Sequence, residues 1–274
     1  MTQTSWVHVP GGRLAVDDEG EGPPIVLIHS AIVNRRSWDA LVPLLVAGGY
    51  RVVRYDMRGC GESTTDAVEY SPRADLLAVM DARGIDKAAV IGNSWGGMNA
   101  LDAVLETPER FVALGWLGGG VAGFDGGNTA AEQALMEAEG KAEEDGDPDR
   151  AAEIDVQIWV DGVGQPTSRV PASIRDAVRA MDRELLEPGR EYGTNTRLEP
   201  RANDRLAEVA VPVLAIIGGL DTSGTRAAAR RLADGVPNVR LEEWPDVAHM
   251  IAMEAPERVA NVLVEFLAPL PRWS

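Results

Sequence analysis

The chain has 274 residues, a formal net charge of −17 and 45% hydrophobic residues, enough for one α/β domain with a full core. The 26 basic residues form no Lys/Arg-rich run, so binding to nucleic-acid phosphates is not expected. No apolar run approaches the roughly 18 residues that span a membrane, so we expect a soluble, cytoplasmic protein without a membrane partner. Cys60 is the only cysteine, which excludes an internal disulfide and a multi-cysteine zinc site.

The first hundred residues predict alternating strands and helices. A hairpin is expected at the start, with its turn at the Pro-Gly-Gly sequence 10–12. The elements predicted after it are a strand at 23–30, a helix at 37–49, a strand at 50–59, a helix at 71–85 and a strand at 87–94.

Three more strands are predicted later in the chain, at 110–118, 211–219 and 238–245. The C-terminal segment predicts an amphipathic helix whose apolar face is made by Val259, Val262, Leu263, Phe266 and Leu267. Because strands and helices alternate, the predicted fold class is α/β, with a mostly parallel central sheet covered by helices on both faces.

The segment 124–201 interrupts this alternation, because it is acidic, alanine-rich and without a strand-like run. A capping box is predicted from Thr129 to Glu132. Apolar residues recur at helical spacing at Ile154, Ile158, Ile174, Val178, Met181 and Leu185. We therefore predict an α/β core at 1–123 and 202–274, with a helical cap, or lid, inserted at 124–201. The alternative is a solvated linker, in which these apolar stripes would bury against nothing.

The sequence "GNSWGG" at 92–97 places Ser94 between a predicted strand and a predicted helix. This setting fits the G-x-S-x-G nucleophile elbow, in which the serine is held at positive φ in a sharp turn. The residues two before and two after the serine must then be small, and Gly92 and Gly96 meet that requirement. The alternative is a tight turn without chemistry.

A serine nucleophile needs a base, and the chain has three histidines. His8 lies in the predicted hairpin, where a solvated or edge-packed side chain is expected. His29 ends a strand and is expected to brace the loop that follows. His249 lies in a loop between the last predicted strand and the terminal helix, where a base can reach Ser94.

The base in turn needs a carboxylate that fixes its tautomer. Asp221 follows a buried strand, at the sheet edge where the sites of parallel sheets gather. The chain order Ser94, Asp221, His249 is the order of the elbow fold. Asp125 and Asp246 are the competing acids, and a purely helix-capping role is the alternative for Asp221.

At this point the chain resembles the α/β-hydrolase family over essentially its whole length. The matching motifs are "LIHS" at 27–30, "YDMRGCGES" at 55–63, "GNSWGG" at 92–97, "GGLD" at 218–221 and "AHM" at 248–250. Within that family it is most similar to lid-bearing esterases, enol-lactonases and cofactor-free haloperoxidase-like members. Two positions depart from the family pattern: Ser30 replaces a usual glycine, and Cys60 replaces a frequent histidine or phenylalanine. We expect Cys60 to be a packed small residue rather than a second nucleophile.

The resemblance implies a catalytic triad of Ser94 as nucleophile, His249 as base and Asp221 as acid. It also implies an oxyanion hole made by the backbone N–H groups of Ala31 and Trp95. Such an enzyme requires neither a metal nor an organic cofactor, so none is expected.

The predicted reaction is hydrolysis of carboxylic esters, either small neutral esters or lactones, through an acyl-enzyme. Substrate contacts are expected from Ser30, Trp116 and Trp159. Large rings beside the serine favour short acyl groups, roughly two to six carbons long. The acidity of the chain disfavours anionic substrates, unless Arg35 or Arg36 offsets it locally.

Other functions remain open at the level of sequence. The same triad is compatible with amide or aminopeptidase-like cleavage and with perhydrolase activity. A hydrolase-derived ligand-binding protein with slow turnover is a further alternative. The sequence is equally compatible with a monomer and with a homodimer.

Overall fold

The computed structural model describes residues 4–274. It confirms the opening hairpin, in which β1 (Ser5–Val9) pairs antiparallel with β2 (Gly12–Glu19). The turn depends on Gly11, whose φ of +70° is a conformation that glycine adopts without a steric penalty.

The central sheet contains most of the remaining strands. These are β3 (Pro24–Ile28), β4 (Arg51–Tyr55), β5 (Thr64–Thr65), β7 (Ala88–Asn93), β8 (Phe111–Leu117), β10 (Val213–Gly218) and β11 (Val239–Trp244). The strand order is β1-β2-β4-β3-β7-β8-β10-β11, with β5 paired to β2. Every pairing from β4 to β11 is parallel, so the predicted fold class is confirmed.

The two faces of the sheet are covered by different helices. The helices of the chain are α1 (Val42–Ala47), α2 (Pro72–Ala82), α3 (Trp95–Glu106), α4 (Ala130–Glu144), α5 (Pro148–Asp155), α6 (Ala172–Leu185), α7 (Ser223–Gly235), α8 (Ile251–Glu254) and α9 (Pro256–Leu267). None of the helices within residues 4–274 is long and apolar enough to cross a bilayer.

Alternating side chains of β3 belong to two separate apolar cores. Val26 and Ile28 pack with residues of α2, α3 and α7, whereas Ile25 and Leu27 pack with residues of α1 and α9. Successive side chains of a strand point to opposite faces, so a continuous apolar run becomes a strand that is buried on both sides.

The helix predicted at 37–49 requires correction. The chain first forms a 3₁₀ turn at Arg35–Trp38, which Asn34 caps by accepting a hydrogen bond from the backbone N–H of Arg36 at 3.0 Å. The α-helix begins only at Val42, next to Pro43. Proline has no N–H to donate and is therefore favoured in the first turn of a helix, which explains the later start.

The segment between β8 and β10 contains α4, α5, a π-helix at Val156–Asp161, and α6. The predicted capping box is confirmed, with hydrogen bonds in both directions between Thr129 and Glu132. The exception to the helical prediction is a two-residue strand, β9 (Thr194–Asn195), which pairs parallel with β6 (Glu69–Tyr70).

The apolar stripes of these helices are buried. Val178 and Met181 of α6 pack against Val33 of the loop after β3 and against Met250, which follows His249. The helices therefore lie against loops at the carboxyl edge of the sheet. The division into a core at 1–123 and 202–274 and a cap at 124–201 remains our proposal.

Candidate active site

Ser94 lies in the sharp turn between β7 and α3. Its φ and ψ are +56° and −119°, and within residues 4–274 it is the only non-glycine residue with positive φ. A Cβ added to Gly92 would lie 2.2 Å from the carbonyl oxygen of Gly96, and a Cβ added to Gly96 would lie 2.2 Å from that of Ile28. The turn therefore requires both glycines. Positive φ costs a serine on the order of 1–3 kcal/mol, so the surrounding structure holds Ser94 in this conformation.

His249 and Asp221 form a buried pair at the same edge of the sheet. Nδ1 of His249 lies 2.7 Å from Oδ2 of Asp221. A carboxylate can only accept a hydrogen bond, so this contact places the imidazole proton on Nδ1 and leaves Nε2 free to accept a proton. The other oxygen of Asp221 accepts from the backbone N–H of Thr222 at 2.7 Å. The side-chain amide of Asn93 donates to the carbonyl of His249 at 3.3 Å.

Gly118, at the end of β8, is a residue of this site that the sequence analysis missed. A Cβ at this position would lie 3.2 Å from Oδ2 of Asp221 and 3.4 Å from Nδ1 of His249, and the φ of Gly118 is +53°. A glycine therefore lets the main chain pass beside the carboxylate–imidazole pair. The run of three glycines at 118–120 was the available signal.

Neither of the two competing acids is hydrogen-bonded to His249, although Asp125 lines the same cavity as His249. Asp125 is exposed and accepts from the backbone N–H of Gly127, and the exposed Asp246 pairs with Arg258 at 3.3 Å. His8 is exposed on β1, as expected.

His29 braces the loop that follows β3, as the sequence predicts. Its Nε2 accepts from the backbone N–H of Met57 at 2.9 Å, and its Nδ1 donates to the carbonyl of Ser30 at 2.7 Å. Burial lowers the pKa of His29, so the ring stays neutral in this role.

Ser94 and His249 line one cavity of about 710 Å³. Trp95 and Trp159 line it as well, together with the segment from Gly118 to Phe124. A cavity of this size is typical of small-molecule sites. The proposed nucleophile and the proposed base are therefore accessible to the same bound molecule.

Ala31 lies beside a second cavity of about 740 Å³, and Trp159 lines both cavities. The centroid of the Trp159 ring is 4.6 Å from that of His249, and the two planes are tilted by 48°. The expected contact residue Trp159 is thus the side chain that the two cavities share. Of the two candidate oxyanion residues, Trp95 lines the first cavity and Ala31 lines the second.

The expected substrate contact of Trp116 requires correction. This side chain of β8 is fully buried in the apolar core that β8 shares with α2, α3 and α7. It lines neither cavity. Its Nε1 donates to the carbonyl of Gly120 at 3.3 Å. Ser30 is also buried and lines neither of the two cavities.

Cys60 and Arg35 are both buried. Burial raises the pKa of the Cys60 thiol to about 12, which suits a packed residue and not a nucleophile.

Arg35 forms ion pairs with Asp17, Asp56 and Glu62, so its charge is not available to offset the negative field around a substrate. Within residues 4–274, no three His, Cys, Asp or Glu side chains are grouped as metal ligands.

Comparison with known proteins places the chain in a family. Residues 25–262 match the model of a group described as the alpha/beta hydrolase family. The chain belongs to this family. The strained serine turn and the carboxylate–imidazole pair are thus features of an α/β hydrolase.

Several proteins named as hydrolases or esterases are similar to this chain. It is 28% identical to 2-hydroxy-6-oxononadienedioate/2-hydroxy-6-oxononatrienedioate hydrolase 2 of Pseudomonas putida, a match that covers 93% of this chain and 91% of the relative. It is 28% identical to rhodomycin D methylesterase DauP of Streptomyces sp. (strain C5), over 88% and 89% of the two chains. A shorter match, 34% identical, spans 33% of the length of an epoxide hydrolase of Caballeronia sordidicola.

A solved structure of a similar protein covers nearly the whole chain. It is described as Est816, an N-acyl homoserine lactone degrading enzyme, and it has a TM-score of 0.75 and 27% sequence identity. The comparison covers 96% of this chain and all of the other. The relatives are hydrolases, and we conclude that this chain is a hydrolase as well.

Proposed function

We propose that this α/β hydrolase cleaves carboxylic esters, either small neutral esters or lactones, through a triad of Ser94, His249 and Asp221. The observation that carries the proposal is the combination of a serine held at φ +56° with a histidine that lines the same cavity and is paired with a buried carboxylate. The names of two relatives, a methylesterase and a lactone-degrading enzyme, support the ester class.

In the first half of the reaction, Nε2 of His249 removes the proton from Oγ of Ser94 while that oxygen attacks the ester carbonyl. The histidine is then protonated on both nitrogens, and the carboxylate of Asp221 stabilises its charge. The backbone N–H groups of Ala31 and Trp95 are the proposed donors to the oxyanion. Trp95 is the first residue of α3, so the positive end of the helix dipole adds to this stabilisation.

In the second half, the tetrahedral intermediate collapses and the alcohol leaves with the proton of His249. The ester acyl group stays on Ser94. Water then attacks this acyl-enzyme, with His249 again as the base, and the acid is released. Apart from the substrate and water, these steps use only the side chains and backbone of the chain itself.

The first test compares histidines and serine in one assay. Ser94→Ala and His249→Ala should each reduce kcat for 4-nitrophenyl acetate by at least about a thousandfold, because triad members act as one unit. The double variant should be little worse than either single variant. The control is His8→Ala, which removes the exposed histidine of β1 and should leave kcat unchanged. Near-normal turnover by His249→Ala would contradict the assignment of the base.

The acid is tested by a second matched pair. Asp221→Asn keeps the shape of the side chain but removes the charge that fixes and stabilises the imidazole, so kcat should fall by at least about a hundredfold. Asp125→Asn removes an exposed carboxylate that lines the same cavity and should retain most of the activity. A larger loss in Asp125→Asn would assign the acid to that residue.

The preferred acyl length is a further expected outcome. Trp95, Trp159 and Phe124 border the cavity beside Ser94 and limit the room for a long chain. We expect kcat/KM for 4-nitrophenyl esters to be highest at roughly two to six acyl carbons and to fall beyond about eight. A maximum at about twelve carbons or more would contradict a small acyl pocket.

A further inference from the structure

Arg169 follows the π-helix Val156–Asp161 in the chain and binds the end of that helix. Its Nε donates to the carbonyl of Asp161 at 2.7 Å, and its Nη2 donates to the carbonyl of Val160. The last carbonyls of a helix have no partner within the helix, and a cation beside them also opposes the negative end of the helix dipole. Arg169 therefore fixes the helical turn that carries Trp159.

The same guanidinium group also contacts the loop between β11 and α8, which carries His249. Its Nη1 donates to the carbonyl of Asp246 at 3.1 Å and to Oε2 of Glu254 at 2.6 Å. These two acceptors lie on the opposite side of the arginine contacts from the π-helix only in sequence, since one planar group reaches all of them. A single side chain thus connects the π-helix with the loop of the proposed base.

Glu254 extends this connection to the residue next to His249. Oε1 of Glu254 accepts from the backbone N–H of Ala248 at 3.0 Å, while Oε2 accepts from Arg169. The side chain of Glu254 is 4% exposed and that of Arg169 is 13% exposed. Hydrogen bonds to charged groups are stronger than neutral ones, and the exclusion of water strengthens them further. The main chain at Ala248 is therefore held by a buried ion pair.

The charge of Glu254 depends on Arg169. Burial raises the pKa of Glu254 and the carboxylate of Asp221 adds to the rise, whereas the hydrogen bond and the charge of Arg169 oppose it. Without the arginine, this buried carboxyl would retain a proton more readily. A protonated carboxyl is a weaker acceptor than a carboxylate. Arg169 thereby also strengthens the contact between Glu254 and the N–H of Ala248.

Trp159 brings the same network to the imidazole of His249. It lies on the π-helix whose end binds Arg169, and its ring centroid is 4.6 Å from that of His249. Its Nε1 donates to Oδ1 of Asp155 at 2.8 Å, which orients the ring relative to the helix. Arg169 therefore bears on His249 in two ways, through the main chain beside it and through the ring that packs on it.

The sheet supplies the remaining contacts of His249. Asn93 donates to its carbonyl at 3.3 Å, and Asp221 accepts from its Nδ1 at 2.7 Å. A general base must lie within hydrogen-bond reach of the proton that it removes, and a displacement of about 1 Å can cost about a hundredfold in rate. The contacts that fix the histidine loop are therefore expected to affect turnover.

We propose that Arg169, acting through Glu254, positions His249 for proton transfer from Ser94. Arg169 lines neither cavity, and within residues 4–274 its hydrogen bonds go to no member of the proposed triad. It is therefore a positioning residue and not a catalytic one. This inference rests on the proposed role of His249 as the base.

The alternative is a purely structural tie, and Arg175 provides the matched control for it. Its side chain is 12% exposed, and it pairs with Asp161 at 2.8 Å and with Glu153 at 2.8 Å. Within residues 4–274 its hydrogen bonds go only to these two acids. Arg175 thus binds the same end of the π-helix as Arg169 but does not hydrogen-bond to the loop of His249.

The kinetic test compares the two arginines with 4-nitrophenyl acetate as substrate. Arg169→Met should lower kcat by about tenfold to a hundredfold and change KM by less than about threefold. Arg175→Met should keep kcat within about twofold, although both variants should unfold at lower urea concentration. Arg169→Lys keeps a charged donor for Glu254, so its loss should be smaller than that of Arg169→Met. A near-normal kcat in Arg169→Met, or equal losses in both methionine variants, would overturn the inference.

A double variant separates positioning from stability. Glu254→Leu removes the acceptor of the Ala248 N–H and should lower kcat about as much as Arg169→Met. Combining the two substitutions leaves no unpaired buried charge, so the double variant should be more resistant to urea than either single variant. Its kcat should nevertheless stay low, because Ala248 still lacks its partner. Recovery of kcat together with stability would show that the ion pair acts on folding alone.

Proton NMR tests the position of His249 without any substrate. The proton between Nδ1 of His249 and Asp221 is expected to give a resonance far downfield, identified by its absence in His249→Ala. Arg169→Met should shift or broaden this resonance, and Arg175→Met should leave it in place. An unchanged resonance in Arg169→Met would overturn the inference even with the triad confirmed. Normal turnover by His249→Ala would instead contradict the proposed function, so the two failures are distinguishable.

Discussion

Two groups of buried carboxylates in this molecule are neutralised in different ways. Near the start of the sheet, Asp17 and Asp56 share Arg35, and Asp75 accepts two hydrogen bonds from Arg58 at 2.7 and 2.9 Å. In the second cavity, the carboxyls of Glu139, Glu143, Asp155 and Asp182, here called the acid cluster, have no lysine or arginine partner within residues 4–274. Burial and neighbouring carboxylates raise the pKa of Asp182 to about 9 and that of Glu139 to about 7, so protons replace the missing cation. The difference shows two ways in which a buried carboxyl is accommodated: an arginine partner neutralises its charge, or the carboxyl keeps its proton.

The paired group has a structural role that can be described from its contacts. Arg35 directly follows the loop that carries Ala31, and its guanidinium contacts Asp17 on β2, Asp56 after β4 and Glu62. Its backbone N–H also donates to Oδ1 of Asp56 at 2.7 Å. The network thereby fixes the loop of the proposed oxyanion hole against the sheet.

The largest effect on stability is expected from breaking this network. Arg35→Met keeps much of the side-chain volume but leaves the buried Asp56 without its cation and leaves Asp17 with only Arg54, at 3.4 Å. We expect the free energy of unfolding to fall by about 3–5 kcal/mol. Urea unfolding followed by tryptophan fluorescence measures the change. A loss below about 1 kcal/mol would mean that water or another arginine replaces Arg35.

A smaller, pH-dependent effect is expected from Asp182→Asn in the acid cluster. The pKa of Asp182 is about 9 in the folded chain and close to 4 when unfolded, so the folded state binds the extra proton between these values. Stability due to this group is therefore present below pH 4 and is lost as pH rises toward 9, at up to about 1.4 kcal/mol per pH unit.

The variant lacks this titration, so its stability should fall less steeply between pH 6 and pH 8.5 than that of the unmodified chain. Urea midpoints at several pH values give the two slopes. Asp176→Asn, an exposed acid on the same helix, should keep the original slope. Parallel slopes for Asp182→Asn and the unmodified chain would show that the carboxyl is ionised throughout.

The comparison also explains which features the sequence could predict. β3, β7 and β10 were predicted within two or three residues, because strands buried on both faces give continuous apolar runs. The approach of His249 to Asp221 followed from their positions after two neighbouring parallel strands. Features that depend on local backbone requirements and on strand order could therefore be predicted from the sequence.

The features that were missed depend on how helices cross and on which way a side chain points. Trp116 and Trp159 were both expected to contact the substrate, but Trp116 faces the apolar core while Trp159 lies on a π-helix and packs against His249. The acid cluster assembles from α4, α5 and α6, and each of its acids resembles the solvated acids beside it in the sequence. The spacing of acidic residues along the sequence does not distinguish the buried acids from the solvated ones.

The smallest effect is expected at Arg36, the immediate neighbour of Arg35. Arg36 is exposed and contacts Glu184 at 3.4 Å, so water already solvates both charges and little is lost when the pair is removed. Arg36→Met should change the free energy of unfolding by less than about 1 kcal/mol, and added salt should shrink the difference further. Because Arg35→Met makes the same chemical change one residue away, the two urea curves isolate what burial adds to an arginine. Equal losses in the two variants would contradict the argument that burial makes the Arg35 ion pairs more stabilising than the exposed pair of Arg36 and Glu184.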